Sequence, residues 1–314
     1  MGISAGAAQP QVRNARFCPH PPRFGAQGNF TIVQFTDLHW RNGDAADQQT
    51  RELMNYVLDA ERPDLVVLTG DVIGGAECTD PAQAWREAVC PMEERAVPWA
   101  AVFGNHDDEG SLSREDLMAV QRSCRMCLSE RGPEDVPGVG NYVLGVQSAR
   151  DGCVAAALYF LDSGSLAPAG MDGYAWITAE QIQWYREVSR QLSKTYARIP
   201  AAAFFHIPLP EFNAVWNPTI CQGSKNEEVC CPRINSGFLS VLCEQGDVMG
   251  VIVGHDHLND FEGTLDGIRL CYGRATGYGS YGRDDFPRGA RVIRLREGER
   301  SFTTWLVLDS VAGR

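Results

Sequence analysis

Hydrophobic residues along the chain form short runs that alternate with longer stretches of mixed polarity. The short runs are rich in Val, Ile, Leu, Ala and Phe and are bounded by Gly, Pro or polar residues, which is typical of buried β-strands. These runs predict strands over residues 30–36, 65–69, 99–103, 142–146, 153–161, 201–205 and 248–253.

The longer stretches carry apolar residues three and four positions apart, which predicts helices that face a core on one side. They cover residues 47–61, 81–95, 113–131 and 179–196. Ser113 can cap the third of these helices, and Thr178 with Gln181 forms a capping-box pattern at the start of the fourth. Residues 268–272, 290–295 and 302–308 predict further, antiparallel strands. Alternating strands and helices followed by extra strands favour an α/β sandwich of one domain.

Bulk properties narrow the domain organisation and the class of partner. Residues 1–28 are rich in Pro, Gly and Ala and are predicted to form an arm that precedes a single domain over residues 29–310. The formal charge of -12 argues against a basic groove that binds nucleic acid. No segment approaches the roughly 18 apolar residues that cross a bilayer, so we expect a soluble chain with no membrane span.

Cysteine usage bears on the compartment. The chain has 11 cysteines at scattered positions, which is not the pattern of a disulfide scaffold and favours a reducing, cytoplasmic compartment. Cys124 and Cys127 have the spacing of a redox or zinc pair. Since a second such pair and an adjacent histidine are missing from the sequence, half-buried thiols on a helix are the better interpretation.

Polar residues follow five of the predicted strands where each strand ends, and five of the six histidines lie at these points. Ligands of open α/β sheets bind outside the carboxyl ends of the strands, so the pattern predicts a metal pocket there. Carboxylate, amide and imidazole ligands suit manganese, iron or zinc better than calcium. If the chain stays extended past Gly254, His255 and His257 should point to the same side. The strand-end residues are Asp37, His39, Asp71, Asn105, His106, Asp107, His206, His255 and His257.

The order of these residues resembles the five motif blocks of calcineurin-like metallophosphoesterases. The segments FHIPLPEF, NSGF and GYGSYG are further similar to the small single-domain branch filed with purple acid phosphatases. The resemblance implies a four-layer α/β/β/α sandwich of two mixed sheets flanked by helices, with the metal site at the strand carboxyl ends. The matching blocks are Asp37-x-His39, Gly70-Asp71, Gly104-Asn105-His106-Asp107, His206 and Gly254-His255-x-His257.

The resemblance also implies two metal ions, manganese, iron or zinc, and their ligands. Asp37, His39 and His257 would hold one ion. Asn105, His206 and His255 would hold the other, and Asp71 would bridge both. Purple acid phosphatases proper have a tyrosine ligand three residues after the aspartate of the second block, where this chain has Gly74, and their first block lacks the histidine supplied here by His39. We therefore expect a protein that is not purple. The missing tyrosine argues against ferric iron and not against catalysis, because His39 restores the number of ligands.

The implied reaction is hydrolysis of a phosphomonoester by a metal-bridging hydroxide, with His106 as the general acid. We expect Asp107 to orient His106, and Asp108 and Glu109 to form a solvated edge. The predicted substrate rim consists of Trp40, Arg274, Tyr278 and Arg283.

Two other functions are compatible with the same blocks. The metal centre would serve a phosphodiesterase equally well, because only the rim separates the two substrate classes. The chain could also be a catalytically silent metal-binding protein that binds a partner, since plant members of the branch are often labelled inactive. A full set of seven competent ligands favours the enzyme, with a phosphate ester as substrate. The sequence does not predict the oligomeric state.

Overall fold

The structure is a computed structural model, and it describes residues 22–309. Strands and helices alternate along most of this part of the chain. The strands are β1 (Asn29–Phe35), β2 (Leu65–Thr69), β3 (Trp99–Val102), β4 (Tyr142–Gln147), β5 (Val154–Phe160), β6 (Ala201–Phe204), β7 (Val248–Val253), β8 (Glu262–Leu265), β9 (Ile268–Tyr272), β10 (Gly289–Arg296) and β11 (Phe302–Leu308). The α-helices are α1 (Ala45–Glu61), α2 (Pro81–Glu94), α3 (Arg114–Ser123), α4 (Ala179–Tyr196), α5 (Glu211–Val215) and α6 (Phe238–Gln245).

The strands form two mixed sheets. The five-stranded sheet has the order β11-β10-β1-β2-β3, in which β1, β2 and β3 are parallel and β10 and β11 are antiparallel to their neighbours. The six-stranded sheet has the order β4-β5-β6-β7-β9-β8, with antiparallel strands at both edges and parallel pairs between them. The parallel strands of both sheets therefore present their carboxyl ends for a shared site.

Alternate side chains of each strand enter two different cores, because neighbouring residues of a strand point to opposite faces. Ile32 packs between the two sheets with Phe160 and Ile252 of the second sheet, whereas Val33 packs against the helical layer of α1, α2 and α3. On the other side of the molecule, α4 and α6 cover the six-stranded sheet. This arrangement confirms the predicted four-layer α/β/β/α sandwich.

Local capping explains where several helices begin. Thr178 and Gln181 form the predicted capping box, and α4 has the predicted bounds. Ser113 caps α3 as predicted. Asp44 caps α1 by accepting a hydrogen bond from the N–H of Asp47, so this helix begins two residues before the predicted start.

The structure corrects two predicted elements. The helix predicted over residues 113–131 ends at Ser123, because the following segment pairs with the edge strand β3 instead. There the N–H of Trp99 donates to the carbonyl of Met126 (3.0 Å), and the N–H of Leu128 donates to the carbonyl of Trp99 (2.7 Å). Strand β9 pairs antiparallel with β8, as predicted, but it pairs parallel with β7 on its other side. Strand β8 and helices α5 and α6 were not predicted.

The predicted arm lies mostly in residues 1–21, outside the described residues. Just beyond them, Phe24 is buried and its ring meets the ring of Phe30 edge-on at 5.9 Å. The division into an arm and one domain stays a prediction. No helix within residues 22–309 is long and apolar enough to cross a membrane.

Candidate metal centre

The predicted ligands gather into two clusters where the strands end. The first cluster contains Asp37, His39 and His257, and the second contains Asp71, His206 and His255. Within each cluster, one ligand atom from every residue lies within 4.8 Å of the others. Asn105 joins the second cluster, because its Oδ1 lies 3.1 Å from Nε2 of His206. All of these side chains are buried.

Asp71 lies between the two clusters. Its Oδ2 is 3.2 Å from Nε2 of His206 in the second cluster and 3.7 Å from Nε2 of His39 in the first. Its Oδ1 accepts a hydrogen bond from the backbone N–H of His106 at 2.8 Å, which fixes the carboxylate plane. One carboxylate is thus placed to contact an ion in either cluster.

The hydrogen bonds of two histidines show that lone pairs converge in each cluster. Nδ1 of His206 lies 2.8 Å from the carbonyl of Thr69, and Nδ1 of His257 lies 3.0 Å from the carbonyl of Tyr281. A carbonyl can only accept, so each Nδ1 carries a proton and donates it to the carbonyl, and each ring turns Nε2 into its cluster.

Those lone pairs face other electron-rich atoms. Nε2 of His257 is 3.3 Å from Nε2 of His39, and Nε2 of His206 faces the oxygens of Asp71 and Asn105. Buried acceptors that face one another are unfavourable unless a cation lies between them. The donor set therefore fits a metal ion in each cluster, and the bonds of Nδ1 to carbonyl groups hold the rings in the metal-binding orientation.

Burial keeps two other histidines in the form that binds metals. It lowers the pKa of His39 to about 4 and the pKa of His255 to about 3, so both rings are neutral at physiological pH. Burial would raise the pKa of Asp37, but the hydrogen bond and the charge of His257 lower it to about 2. Neutral imidazoles and ionised carboxylates are the forms that bind metal ions.

His206 behaves differently in the metal-free protein. Burial would lower its pKa, but the charge of Asp71 and the hydrogen bond to it raise this pKa to about 9. A proton between Nε2 of His206 and Asp71 is therefore favourable, as any cation between these two groups would be. A cation that enters the second cluster must displace this proton.

The backbone is strained at four of the ligand positions. Among residues 22–309, eight non-glycine residues have a positive φ, and they include Asp37 (54°), His39 (46°), Asp71 (48°) and His255 (81°). Such conformations cost energy and concentrate at functional sites. The positive φ of His255 also corrects the expectation of an extended chain past Gly254, because it turns His255 and His257 into different clusters.

Glycines before the ligands make room for them. A Cβ at Gly70 would lie 2.5 Å from Nδ1 of His206, and a Cβ at Gly104 would collide with the carboxylate of Asp71. Any other residue at either position would push a ligand out of its cluster. This explains why Gly precedes both Asp71 and Asn105 in the sequence.

Asp107 does not orient His106 as expected. Its buried carboxylate instead accepts hydrogen bonds from the backbone N–H groups of Asp71 (3.1 Å), Ile73 (3.0 Å) and Gly104 (2.7 Å). These bonds tie the loop after β2 to the loop after β3. Asp107 therefore positions the two loops that carry Asp71 and Asn105.

Glu109, expected at a solvated edge, contacts His106 instead. Its Oε2 lies 2.7 Å from Nδ1 of His106. The ring of His106 is 42% exposed, and its centroid lies 5.2 Å from that of His39. Burial lowers the pKa of His106, but the charges of Asp71 and Glu109 outweigh this and raise it. Asp108, expected at the same edge, forms an ion pair with Arg114 at 3.2 Å.

The structure encloses two of the four predicted rim residues in the core. Trp40 is buried, and its Nε1 donates to Glu87. Arg274 is also buried, paired with Asp260. Both predictions were wrong, since a side chain enclosed in the core cannot line a substrate mouth.

The other two rim predictions concern side chains with partners of their own. Tyr278 donates its hydroxyl hydrogen bond to Asp309, and Arg283 forms an ion pair with Asp285 at 2.6 Å. Their roles as substrate contacts stay predictions.

Two aromatic residues that the sequence did not assign do contact the clusters. Tyr281 stacks on His257 with ring centroids 4.1 Å apart and planes 7° apart. Tyr174 meets His255 edge-on at 4.4 Å. Tyr281 lies between Tyr278 and Arg283 of the predicted rim, whereas nothing in the local sequence marks Tyr174.

The ten cysteines within residues 22–309 take no part in either cluster. Burial raises the pKa of Cys124 to about 11 and that of Cys127 to about 12. A redox or metal-binding pair needs the opposite shift, towards the thiolate. Cys124 and Cys127 are half-buried as predicted, but they follow the end of α3 and do not lie on a helix.

Comparisons with known proteins agree with this geometry. The family model for the calcineurin-like phosphoesterases matches residues 30–259. A protein of Arabidopsis thaliana named "Probable inactive purple acid phosphatase 29" is 36% identical and aligns over 91% of this chain and 84% of its own. "Phosphatase DCR2" of Saccharomyces cerevisiae is also 36% identical, over 90% of this chain and 54% of its own.

A solved structure shows the same fold. A dimetal phosphatase from Danio rerio superposes with a TM-score of 0.58 at 15% identity, over 90% of this chain and 99% of that one. The relatives confirm the resemblance to the purple-acid-phosphatase-like branch. The matched family model covers the strands and loops that carry every proposed ligand, and the chain belongs to the calcineurin-like phosphoesterase family.

Proposed function

We propose that this protein is a phosphatase that hydrolyses phosphomonoesters at a dinuclear metal centre. The observation that carries the proposal is the convergence of buried lone pairs in two clusters that share Asp71. The family is dimetal-dependent, and the yeast relative is named a phosphatase. The proposed ligands are Asp37, His39 and His257 for one ion, Asn105, His206 and His255 for the other, and Asp71 for both.

The donor set suits manganese, iron or zinc, because it mixes carboxylate, amide and imidazole groups. Two such ions would lower the pKa of a water molecule and neutralise phosphoryl oxygens. They would thereby attract an anionic substrate to a protein whose net charge is -12. The chain itself supplies the shape of the centre. Asp107 fixes the loops of Asp71 and Asn105, and the carbonyls of Thr69 and Tyr281 fix two imidazoles.

His106 is proposed as the general acid. Nδ1–H of His106 donates a hydrogen bond to Glu109, so the proton on Nε2 of the same ring is the one available for the leaving oxygen. The charges of Asp71 and Glu109 raise the pKa of His106 and so favour its protonated form, and its partial exposure leaves it accessible to a substrate. A general acid of this kind contributes roughly 10²–10⁴-fold to the rate.

The test uses chelator-stripped protein before and after manganese is restored. We expect metal-dependent hydrolysis of 4-nitrophenyl phosphate that exceeds hydrolysis of bis(4-nitrophenyl) phosphate. His106→Asn should keep the metal content and lower kcat by about 10²–10⁴-fold. Asp71→Asn is the matched comparison, because it should lose metal and turnover together.

Each other outcome contradicts part of the proposal. Faster hydrolysis of the diester would identify a phosphodiesterase. Full metal uptake with no turnover of either ester would indicate a silent binding protein, as the name of the Arabidopsis relative suggests for that relative. Loss of metal in His106→Asn would remove the general-acid role.

A further inference from the structure

A short hairpin over residues 165–175 lies against the second cluster. Its two arms are joined by hydrogen bonds from the N–H of Ala167 to the carbonyl of Gly173 (2.9 Å) and from the N–H of Ala175 to the carbonyl of Ser165 (2.8 Å). The hydroxyl of Ser165 donates to the backbone carbonyl of Asn105 at 3.2 Å. The hairpin is thus fastened to a loop that carries a proposed ligand.

Tyr174 connects the hairpin to the metal centre. One side of its ring meets His255 edge-on, with centroids 4.4 Å apart. The same residue lines a cavity of about 260 Å³ that lies between the hairpin and residues 233–234. This cavity therefore adjoins the second cluster across a single aromatic ring.

The cavity is lined largely by apolar side chains, and some of them are exposed to solvent. Met171 is 45% exposed and Ile234 is 36% exposed, and Leu166 on the same hairpin is 73% exposed. Exposed apolar side chains grouped beside a polar site mark a binding surface better than they mark a core. The cavity is lined by Ala167, Gly170, Met171, Asp172, Tyr174, Trp176, Arg233 and Ile234.

Charge pairing limits what the cavity can accept. Arg233 is the cation among the lining residues, and it forms an ion pair with Asp172 at 3.1 Å. No unbalanced charge is left among the lining residues to bind a second anionic group. The volume is also below the roughly 300–1,000 Å³ of sites for drug-sized ligands, so a group of one or two rings fits better than a macromolecular segment.

We propose that this cavity is the subsite for the alcohol part of the phosphate ester, and that this part is aromatic or otherwise apolar and uncharged. The inference rests on the proposed function, because the phosphoryl group must bind at the metal clusters for its ester group to reach Tyr174. It adds the substrate class: an aryl or apolar phosphomonoester rather than a sugar phosphate or a nucleotide.

The test measures binding of non-hydrolysable phosphonates to the manganese-loaded protein by calorimetry, without turnover. Phenylphosphonate and methylphosphonate carry the same anionic group and differ in the ring that the cavity would hold. We expect phenylphosphonate to bind roughly 50–100-fold more tightly, since burying one ring removes roughly 100 Å² of apolar surface from water.

Variants of two lining residues locate the preference. Met171→Ser with Ile234→Ser removes apolar groups that are partly exposed, so the fold should survive. This double variant should bind both phosphonates with nearly equal affinity and leave the affinity for methylphosphonate unchanged. Ile220→Ser is the matched control, because Ile220 is 75% exposed and lines a different cavity.

The possible results separate the two proposals. Equal binding of both phosphonates by the wild type would overturn the subsite and leave the metal centre intact. A preference that persists in the double variant would also overturn it, because the ring would then bind elsewhere. Failure of both phosphonates and of inorganic phosphate to bind would overturn the proposed function and the subsite with it.

Discussion

The contact of Tyr281 with His257 gives a prediction about metal affinity. Besides the ring stack, the hydroxyl of Tyr281 lies 3.3 Å from the N–H of His257 and donates to Glu227 at 3.0 Å. The backbone carbonyl of Tyr281 accepts from Nδ1 of His257. Tyr281→Ala removes the stack and the hydroxyl and keeps the carbonyl, so it should loosen the His257 ring without changing its tautomer.

The size of the effect follows from these contacts. An aromatic stack contributes about 0.5–1.5 kcal/mol. A hydrogen bond adds about 0.5–1.5 kcal/mol. Because Tyr281 is 52% exposed, the lower part of each range applies, and the sum is about 1.4 kcal/mol or tenfold in the dissociation constant. Loss of a group that orients a metal-bound histidine typically costs about 10–100-fold in affinity.

The assay is calorimetric titration of manganese into chelator-stripped protein. Tyr281→Ala should weaken one of two binding events about tenfold. Tyr281→Phe, which keeps the stack, should weaken it about threefold or less. Tyr56→Ala is the control, because Tyr56 is similarly exposed (45%) but lies on α1. Titration of Tyr281→Ala indistinguishable from that of the wild type would refute the reasoning, and an equal loss in Tyr281→Phe would assign the effect to the hydroxyl alone.

Three further predictions concern stability. Manganese at about 100 times its dissociation constant should stabilise the protein by about 2.7 kcal/mol per site, a rise of about 5–10 °C in Tm by calorimetry, and Asp71→Asn should lose most of it. Tyr185→Phe removes a hydrogen bond to the buried Asp247 carboxylate and should lower the free energy of unfolding in urea by about 1.5–3 kcal/mol. Tyr142→Phe should cost less, because the hydroxyl of Tyr142 donates to a neutral carbonyl. Equal losses in the two variants would refute this. Burial raises the pKa of Asp47, so above about pH 4 the folded state retains a proton that the unfolded state releases. The free energy of unfolding therefore falls as the pH rises towards the folded pKa. The free energy of unfolding of Asp47→Asn, measured at several pH values, should depend less on pH than that of the wild type, and parallel curves would contradict this.

The fold and the clustering of the proposed ligands were predictable because their signals are local. A run such as residues 65–69 carries its own strand pattern, and Thr178 with Gln181 marks the start of α4 in four residues. The ligands follow such strands directly, so the topology brings them together. To predict the clusters, only the positions where the strands end were needed. The predicted ends of β2 and β7 were correct to within one residue.

The errors concern side chains whose partners are distant in sequence or depend on backbone turns. Trp40 is buried against residues of α2, and Arg274 turns inward to Asp260. Asp107 faces backbone N–H groups of another loop, which no pattern within its own loop shows. The left-handed backbone at His255 is equally invisible in a sequence where glycine, not histidine, usually marks a positive φ.

In the proposed centre, His39 would supply the ligand that a tyrosine supplies in purple acid phosphatases, which changes the charge of the centre and keeps its number of ligands. His39 occupies the first cluster with its Nε2 3.3 Å from that of His257, and its lowered pKa keeps it neutral. A neutral imidazole in place of an anionic phenolate favours a divalent over a trivalent ion. The carboxylates of the two clusters are then Asp37 and Asp71, so two divalent ions would leave the centre with a net charge of about +2. The proposed centre would therefore attract a phosphomonoester dianion more strongly than a phosphodiester monoanion, even on a protein whose overall charge is -12.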